Sequence, residues 1–190
     1  ESVHTVATAG IPTLVMDSPA LYAARLPNAS YVTCDSNAIG EAGADLYLKQ
    51  GFKHFAYVTD TNAWDWSIQR QHAFAGRLAR AGFTCEVYGP RPSARGGNDW
   101  ALDQKRLLKW LLSLPKPTAL LAARDGRARQ VLETCVLAGL NVPGDVAILG
   151  IDNEDILCEN TAPTLSSIQP DFEAGGYQAA HILEQLMRGT

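Results

Sequence analysis

The chain alternates short apolar runs with longer segments in which apolar residues recur every three or four positions. The short runs are typical of strands in a buried sheet, and the longer segments are typical of amphipathic helices. This pattern predicts strands at residues 11–16, 30–35, 54–60, 83–88, 118–123, 145–151 and 165–168. It predicts helices at residues 36–51, 65–82, 100–115, 124–139 and 171–189.

The regular alternation of strand and helix predicts an α/β fold with a parallel sheet, because each crossover is long enough for a right-handed connection. Residues 52–169 hold five of the strands, which predicts a complete doubly wound C-terminal lobe. Residues 1–51 hold two strands and one helix, which predicts a partial N-terminal lobe, an incomplete second α/β unit. We expect the helix within residues 170–190 to return to the N-terminal lobe.

Composition narrows the class of protein. The 190 residues are 46% hydrophobic and 19% charged, which is enough for a packed core. No apolar run approaches the roughly 18 residues of a membrane span, and no export signal is expected in the N-terminal residues. The net charge is −4 and the basic residues are scattered, so we do not expect this chain to bind nucleic acid directly. Four widely spaced cysteines favour buried thiols in a reducing cytoplasm.

Aspartates follow four of the predicted strands, namely Asp35, Asp60, Asp125 and Asp152. Ligands of open parallel sheets bind beyond this carboxyl edge. Aspartate is also a preferred helix N-cap, an alternative that Asp60 fits best. Asp125 and Asp152 are the stronger ligand-binding candidates, because their strands are expected to be neighbours. Two carboxylates there would suit the vicinal hydroxyls of a neutral polyol.

The predicted helix at residues 65–82 adds a cation and an indole to the same edge. Trp66, Arg70, Phe74 and Leu78 are spaced by four, which puts them on one helix face. Arg70 can donate a fork of hydrogen bonds to sugar oxygens, and the Trp66 ring can pack against the C–H face of a sugar. The alternatives are a solvated Arg70 and a Trp66 that packs on Phe74.

Catalytic function is not expected, and we predict no catalytic residue, metal or cofactor. The chain has no GxGxxG, P-loop or GxSxG motif, and its four histidines lack metal-binding spacing. A small phosphotransferase that uses Asp60 or Asp152 is an alternative, but no Lys or Thr partner can be identified for it. The charged segment at residues 103–109 is interpreted as a solvated helix face.

Longer motifs resemble a known family. The stretch YVTCDSNAIGEAGADLYLKQGFKHFAYV at residues 31–58 resembles effector domains of the LacI/GalR type, which share the type I periplasmic-binding-protein-like fold. Residues 66–74, 123–155 and 165–186, with the segments DGRAR and GIDNE, resemble xylose operon regulators. In that group a domain of this fold precedes an AraC-type pair of helix-turn-helix motifs.

The resemblance implies a cytoplasmic, homodimeric transcription regulator that binds a sugar such as D-xylose between two lobes. It implies that operator DNA is bound by segments outside this chain, and that further strands complete the first lobe. Matched by position, the implied ligand-binding residues are Arg70, Asp125 and Asp152, with Asp35 and Asn153 near the cleft. A periplasmic sugar-binding protein of the same fold is the second interpretation, and it would need an export signal upstream.

Overall fold

The computed structural model describes residues 5–6, 9–16, 26, 29–62, 64–89 and 100–189. In chain order, its elements are β1 (Leu14–Met16), β2 (Ser30–Val32), α1 (Ser36–Lys49), β3 (His54–Val58), α2 (Asp65–Arg80), β4 (Cys85–Tyr88), α3 (Trp100–Ser113), β5 (Thr118–Ala122), α4 (Asp125–Ala138), β6 (Val146–Ile151), α5 (Asp155–Glu159), β7 (Ser166–Ile168) and α6 (Phe172–Arg188). The chain divides into two compact units, one of Glu1–Asp35 with Asp171–Thr190 and the other of Ser36–Pro170.

The smaller unit contains a two-stranded parallel sheet and the last helix. Leu14 of β1 lies opposite Ser30 of β2, and Met16 lies opposite Val32. Helix α6 packs against both strands. Helix α1 does not belong to this unit, although residues 1–51 were predicted as one lobe. It lies with the larger unit because it packs along α2, so the border falls after Asp35 rather than after residue 51.

The larger unit is built on a five-stranded parallel sheet with the order β4-β3-β5-β6-β7. Every residue of β5 and β6 is buried. Such continuous apolar strands are expected in a sheet that is covered on both faces. The connection from β3 to β4 and the connection from β4 to β5, which passes over β3, run in opposite directions across the sheet. The order therefore reverses between β3 and β5, and ligands of such folds bind at the carboxyl ends of the strands beside that point.

Helices cover the two faces of this sheet. Val58 and Leu120 share one core cluster with Leu107, which α3 contributes, and all three side chains are buried. On the opposite face, the ring of Tyr57 lies 6.2 Å from the ring of Phe74 on α2. Successive strand residues point to opposite faces of the sheet, so Tyr57 packs on one face and Val58 packs on the other. The predicted doubly wound α/β arrangement is confirmed for this unit.

All seven predicted strands and all five predicted helices have counterparts among the described residues, with shifted ends. The short helix α5 was not predicted. Residues 90–99, between β4 and α3, lie outside the described residues. None of the described helices has the length and apolar character that crossing a membrane requires.

Two of the cysteines are buried as the sequence suggested. Cys135 has no exposed surface and Cys158 is 5% exposed. Burial raises the pKa of the Cys135 thiol to about 11, so the side chain is a neutral, small apolar group at physiological pH. Cys34 and Cys85 are only partly buried, so the prediction that all four cysteines are buried is wrong for these two.

Candidate ligand-binding site

Arg70 is the centre of the candidate site. It lies on α2, and its side chain is 4% exposed. Its Nη1 donates a hydrogen bond of 2.7 Å to the carbonyl of Ala123, directly after β5. Its Nη2 lies 3.7 Å from Oδ1 of Asp152, which follows β6. The alternative of a solvated Arg70 is therefore wrong, because the guanidinium is buried against the carboxyl ends of two strands.

Trp66 lies one helical turn before Arg70 and contacts it. The guanidinium carbon of Arg70 is 4.7 Å from the centroid of the Trp66 ring. This distance is typical of a cation–π interaction, which restricts the orientation of both groups. Trp66 is half-buried, whereas Arg70, Phe74 and Leu78 on the same face are buried. The four-residue spacing thus predicted their common face correctly.

Asp152 and Asn153 form a backbone turn with an unusual conformation. Their φ angles are 106° and 52°, so two consecutive residues that are not glycine lie at positive φ. Such residues cost about 1–3 kcal/mol each and persist only where the surrounding contacts enforce them. The Asp152 side chain is 27% exposed. The Asn153 side-chain amide donates to Oε1 of Gln169 at 3.3 Å.

Asp125 lies behind this turn. It is the first residue of α4, and it has no exposed surface. Its Oδ2 accepts a hydrogen bond of 2.7 Å from the backbone N–H of Glu154. Its Oδ1 accepts a hydrogen bond of 2.6 Å from the hydroxyl of Ser167 on β7. Both carboxylate oxygens already have donors, so the structure places Asp125 among the supports of the turn and not on its exposed side.

Asp35 belongs to the smaller unit, unlike the other predicted site residues. It is exposed, follows β2, and comes directly before α1. The structure therefore brings together Arg70, Trp66 and Asp152, with Asn153 beside them. The predicted ligand contact of Asp35 stays a prediction.

Asp60 does not cap a helix, which corrects the sequence interpretation. Helix α2 begins at Asp65, after an N-cap residue, Trp64, that makes no side-chain capping bond. Asp60 is instead buried, and its Oδ2 accepts a hydrogen bond of 2.6 Å from Nε of Arg124.

Arg124 is a residue at this edge that the sequence reasoning missed. It follows Ala123, whose carbonyl accepts the Arg70 hydrogen bond, and its side chain is 42% exposed. A search for acidic residues at the strand ends selects Asp125 and passes over Arg124, because Arg124 is basic. A search for any charged residue at the strand ends would have found it.

Charges at this edge are arranged in pairs. Arg70 faces Asp152, and Arg124 faces Asp60, so each of these two guanidinium groups lies beside a carboxylate. Within the described residues, no three His, Cys, Asp or Glu side chains gather where they could hold a metal ion. Donors and acceptors side by side suit a ligand whose groups both donate and accept, as hydroxyl groups do.

Comparison with known protein families agrees with this architecture. The model of the periplasmic binding protein-like domain matches residues 44–190. The chain belongs to this family. The match includes the whole five-stranded sheet, helix α2 with Arg70, and the Asp152 turn. The expectation of a periplasmic-binding-protein-like fold, drawn from the sequence motifs, is confirmed.

Among curated relatives in this family are regulators of xylose operons. The chain is 31% identical over 182 residues to the xylose operon regulatory protein of Haemophilus influenzae, with 94% of this chain and 46% of that protein covered. It is 32% identical over 164 residues to the protein of the same name from Escherichia coli strain K12, with 85% and 41% covered. The chain spans about half the length of the curated relatives it matches.

Solved structures lead to the same family. The structure of the xylose-binding transcription activator xylR is 28% identical and aligns with a TM-score of 0.78, covering 100% of this chain and 50% of that one. A LacI family transcriptional regulator from Mycobacterium smegmatis aligns with the same TM-score at 20% identity, covering 100% and 75%. At that identity the second likeness shows the fold alone. Both of these transcription regulators thus contain a domain with the fold of this chain.

Proposed function

We propose that this chain is the effector-binding domain of a transcription regulator, and that its effector is a neutral sugar such as D-xylose. The observation that carries the proposal is the grouping of Arg70, Asp152 and Trp66 at the carboxyl edge of a parallel sheet. In our proposal these three side chains contact the sugar, and Asn153 lies at the margin of the same site. The function is binding without turnover.

The chemistry of the grouping favours a polyol. A hydroxyl beside the Arg70–Asp152 pair can accept from the guanidinium and donate to the carboxylate, and charged partners make the stronger hydrogen bonds. Nε of Arg70 is buried and makes no hydrogen bond within the described residues. A buried donor without an acceptor is costly, and a sugar oxygen would satisfy it. The half-buried Trp66 ring offers an apolar face for the sugar C–H groups.

The names of the relatives support the choice of sugar and the regulatory role. The two curated relatives described above are both named xylose operon regulatory protein, and one solved structure is of a xylose-binding transcription activator. We propose that the whole protein acts in the cytoplasm as a dimer and contacts operator DNA through segments outside this chain, of the AraC helix-turn-helix type. Binding would favour one conformation over another, and that shift in population would alter DNA binding.

A thermal-shift screen of pentoses and hexoses tests the proposal directly. A ligand that binds only the folded state stabilises it by about 2.7 kcal/mol when its concentration is one hundred times its Kd. We expect D-xylose to raise Tm in a concentration-dependent manner, and its mirror image, L-xylose, to have no effect. Equal shifts with both enantiomers, or no shift with any sugar, would contradict the proposal.

A further inference from the structure

The turn that carries Asp152 is held by three consecutive backbone amides. The Asp152 N–H donates to the carbonyl of Ile168 at 2.9 Å. The Asn153 N–H donates to Oγ of Ser167 at 3.0 Å. Both acceptors lie on β7, which is paired with β6 in parallel register. Two residues at positive φ are thereby tied to the neighbouring strand.

The third amide belongs to Glu154, and it extends the connection to Asp125. The Glu154 N–H donates to Oδ2 of Asp125 at 2.7 Å, and the Ser167 hydroxyl donates to Oδ1 at 2.6 Å. Ser167 therefore uses its oxygen to accept from Asn153 and its proton to bond Asp125. The result is a closed network in which one serine and one carboxylate hold two amides of the turn.

The backbone around Asp125 is shaped to admit its carboxylate. A Cβ atom added to Gly150 would collide with Oδ1 of Asp125. Gly150 lies opposite Ser167 in the β6–β7 register, so the missing side chain leaves the space in which the serine and the carboxylate meet. Asp125 is also the first residue of α4, where the helix dipole favours a negative charge. A buried charge in this position is stabilised without contact to solvent.

We propose that Asp125 and Ser167 are positioning residues that fix the Asp152–Asn153 turn in its ligand-binding conformation before the ligand arrives. The inference rests on the proposed sugar-binding role of Asp152. Without the network, both residues would relax toward negative φ, the conformation that side chains ordinarily prefer. That rotation would carry the Asp152 carboxylate away from Arg70, which it now approaches to 3.7 Å. Fixing a contact group in advance raises affinity because less order has to be imposed on binding.

Amide hydrogen exchange of the ligand-free protein, resolved by NMR, tests the positioning role whether or not a sugar binds. In Ser167→Ala we expect the Asn153 amide to lose its protection directly. We also expect the amides of Asp152 and Glu154 to exchange about tenfold faster, although their own acceptors are untouched. Ser167→Thr keeps the hydroxyl and should restore protection. Ser166→Ala, at the exposed neighbouring position, is the matched control.

If Ser167→Ala accelerates amide exchange only at Asn153, the inference is overturned. The Ser167 hydroxyl would then make an isolated hydrogen bond that does not support the rest of the turn. Asp125→Asn gives a second reading if Ser167→Ala folds poorly. Its NH₂ group replaces one charged acceptor, so either the Glu154 bond is lost or the Ser167 bond has to reverse its direction, and the remaining bonds lose their charge-assisted strength. Faster exchange at Asp152 is therefore expected. An unchanged Asp152 amide in that variant would equally overturn it.

Calorimetry with D-xylose separates this inference from the proposed function. We expect Ser167→Ala to weaken the affinity for D-xylose about tenfold and Ser167→Thr to restore it. If the unaltered protein binds no D-xylose, the proposed ligand is wrong, and the exchange rates still decide the positioning role. If it binds D-xylose and Ser167→Ala binds equally tightly, the proposed function stands and the positioning inference fails.

Discussion

Arg70 and Asp152 approach to 3.7 Å from different elements, one on helix α2 and the other directly after strand β6. The separation is longer than a hydrogen bond, so the two groups attract one another without being locked together. The Ala123 carbonyl holds the other side of the guanidinium at 2.7 Å. A ligand hydroxyl can therefore engage the pair without first breaking a short bond between Arg70 and Asp152.

The first prediction concerns the charge of Asp152. Asp152→Asn keeps the size of the side chain but removes the charged acceptor, and hydrogen bonds to charged groups contribute about 1.5–3 kcal/mol. We expect the affinity for D-xylose, measured by calorimetry, to fall about tenfold to one hundredfold. Asp155→Asn changes an exposed acid three residues further on, at the start of α5, and is the control. Wild-type affinity in Asp152→Asn would show that this carboxylate does not bind the sugar.

The second prediction concerns Trp66, whose ring lies 4.7 Å from the Arg70 guanidinium carbon. Trp66→Phe keeps an aromatic face of smaller area, and Trp66→Ala removes it, along with a cation–π contact of about 0.5–2 kcal/mol. We expect D-xylose affinity to decrease from the wild type to the Phe variant and further to the Ala variant. We also expect a sugar-induced change in tryptophan fluorescence that Trp66→Phe abolishes. Trp64→Phe should retain it, and the reverse result would remove Trp66 from the site.

Much of the larger unit could be predicted from the sequence because its signals are local. The strands β5 and β6 are buried on both faces, so their sequences are continuous apolar runs between turn residues. The face that Arg70 and Trp66 share follows from a spacing of four along one helix. Neither inference requires knowledge of a distant residue.

The role of Asp125 could not be predicted in the same way. Its position after a strand indicates the correct edge of the sheet, but the direction of its side chain depends on a partner 42 residues away, Ser167. The contact exists because β7 pairs with β6 in a register that puts Ser167 opposite Gly150. A contact between side chains 42 residues apart leaves no periodic pattern in the sequence, so the network that supports the turn becomes visible only in the structure.

The third prediction concerns the packing of α1 on α2. A Cβ atom at Gly40 would collide with the backbone carbonyl of Arg70, whereas one at Gly76 would have only the Arg80 side chain within 4 Å, at 3.9 Å. Gly40→Ala should therefore destabilise the fold by separating the helices. Gly76→Ala should stabilise it by about 0.5–1 kcal/mol, since alanine is the better helix former.

Urea unfolding of both alanine variants measures these effects. The two substitutions add the same methyl group to a helix, so helix propensity cancels between them and the difference reports the packing of α1 on α2. Equal changes in the free energy of unfolding would mean that the helices can separate at Gly40 without cost. Gly40→Ala should also weaken D-xylose binding, because the carbonyl that it displaces belongs to Arg70 itself.

The last prediction concerns a buried ion pair that was not predicted from the sequence. Asp103 was interpreted as part of a solvated helix face, but its side chain is 6% exposed and its Oδ2 lies 3.0 Å from Nη2 of Arg127. The Tyr88 hydroxyl donates to its Oδ1 at 2.6 Å, and Nε of Arg127 donates to the Thr59 carbonyl at 3.1 Å. The pair thus connects α3 and α4 to the residue that follows β3.

Asp103→Ala should lower the free energy of unfolding by about 3–5 kcal/mol, because it leaves a buried guanidinium without its counter-charge. The double variant Asp103→Leu with Arg127→Met should be more stable than Asp103→Ala, since it removes both charges and keeps apolar volume. Lys105→Ala, on the exposed side of the same helix, should change the free energy by less than about 0.5 kcal/mol. Urea unfolding distinguishes these cases, and a loss below about 1 kcal/mol in Asp103→Ala would indicate that water reaches Arg127 and that the pair is not sealed in the core.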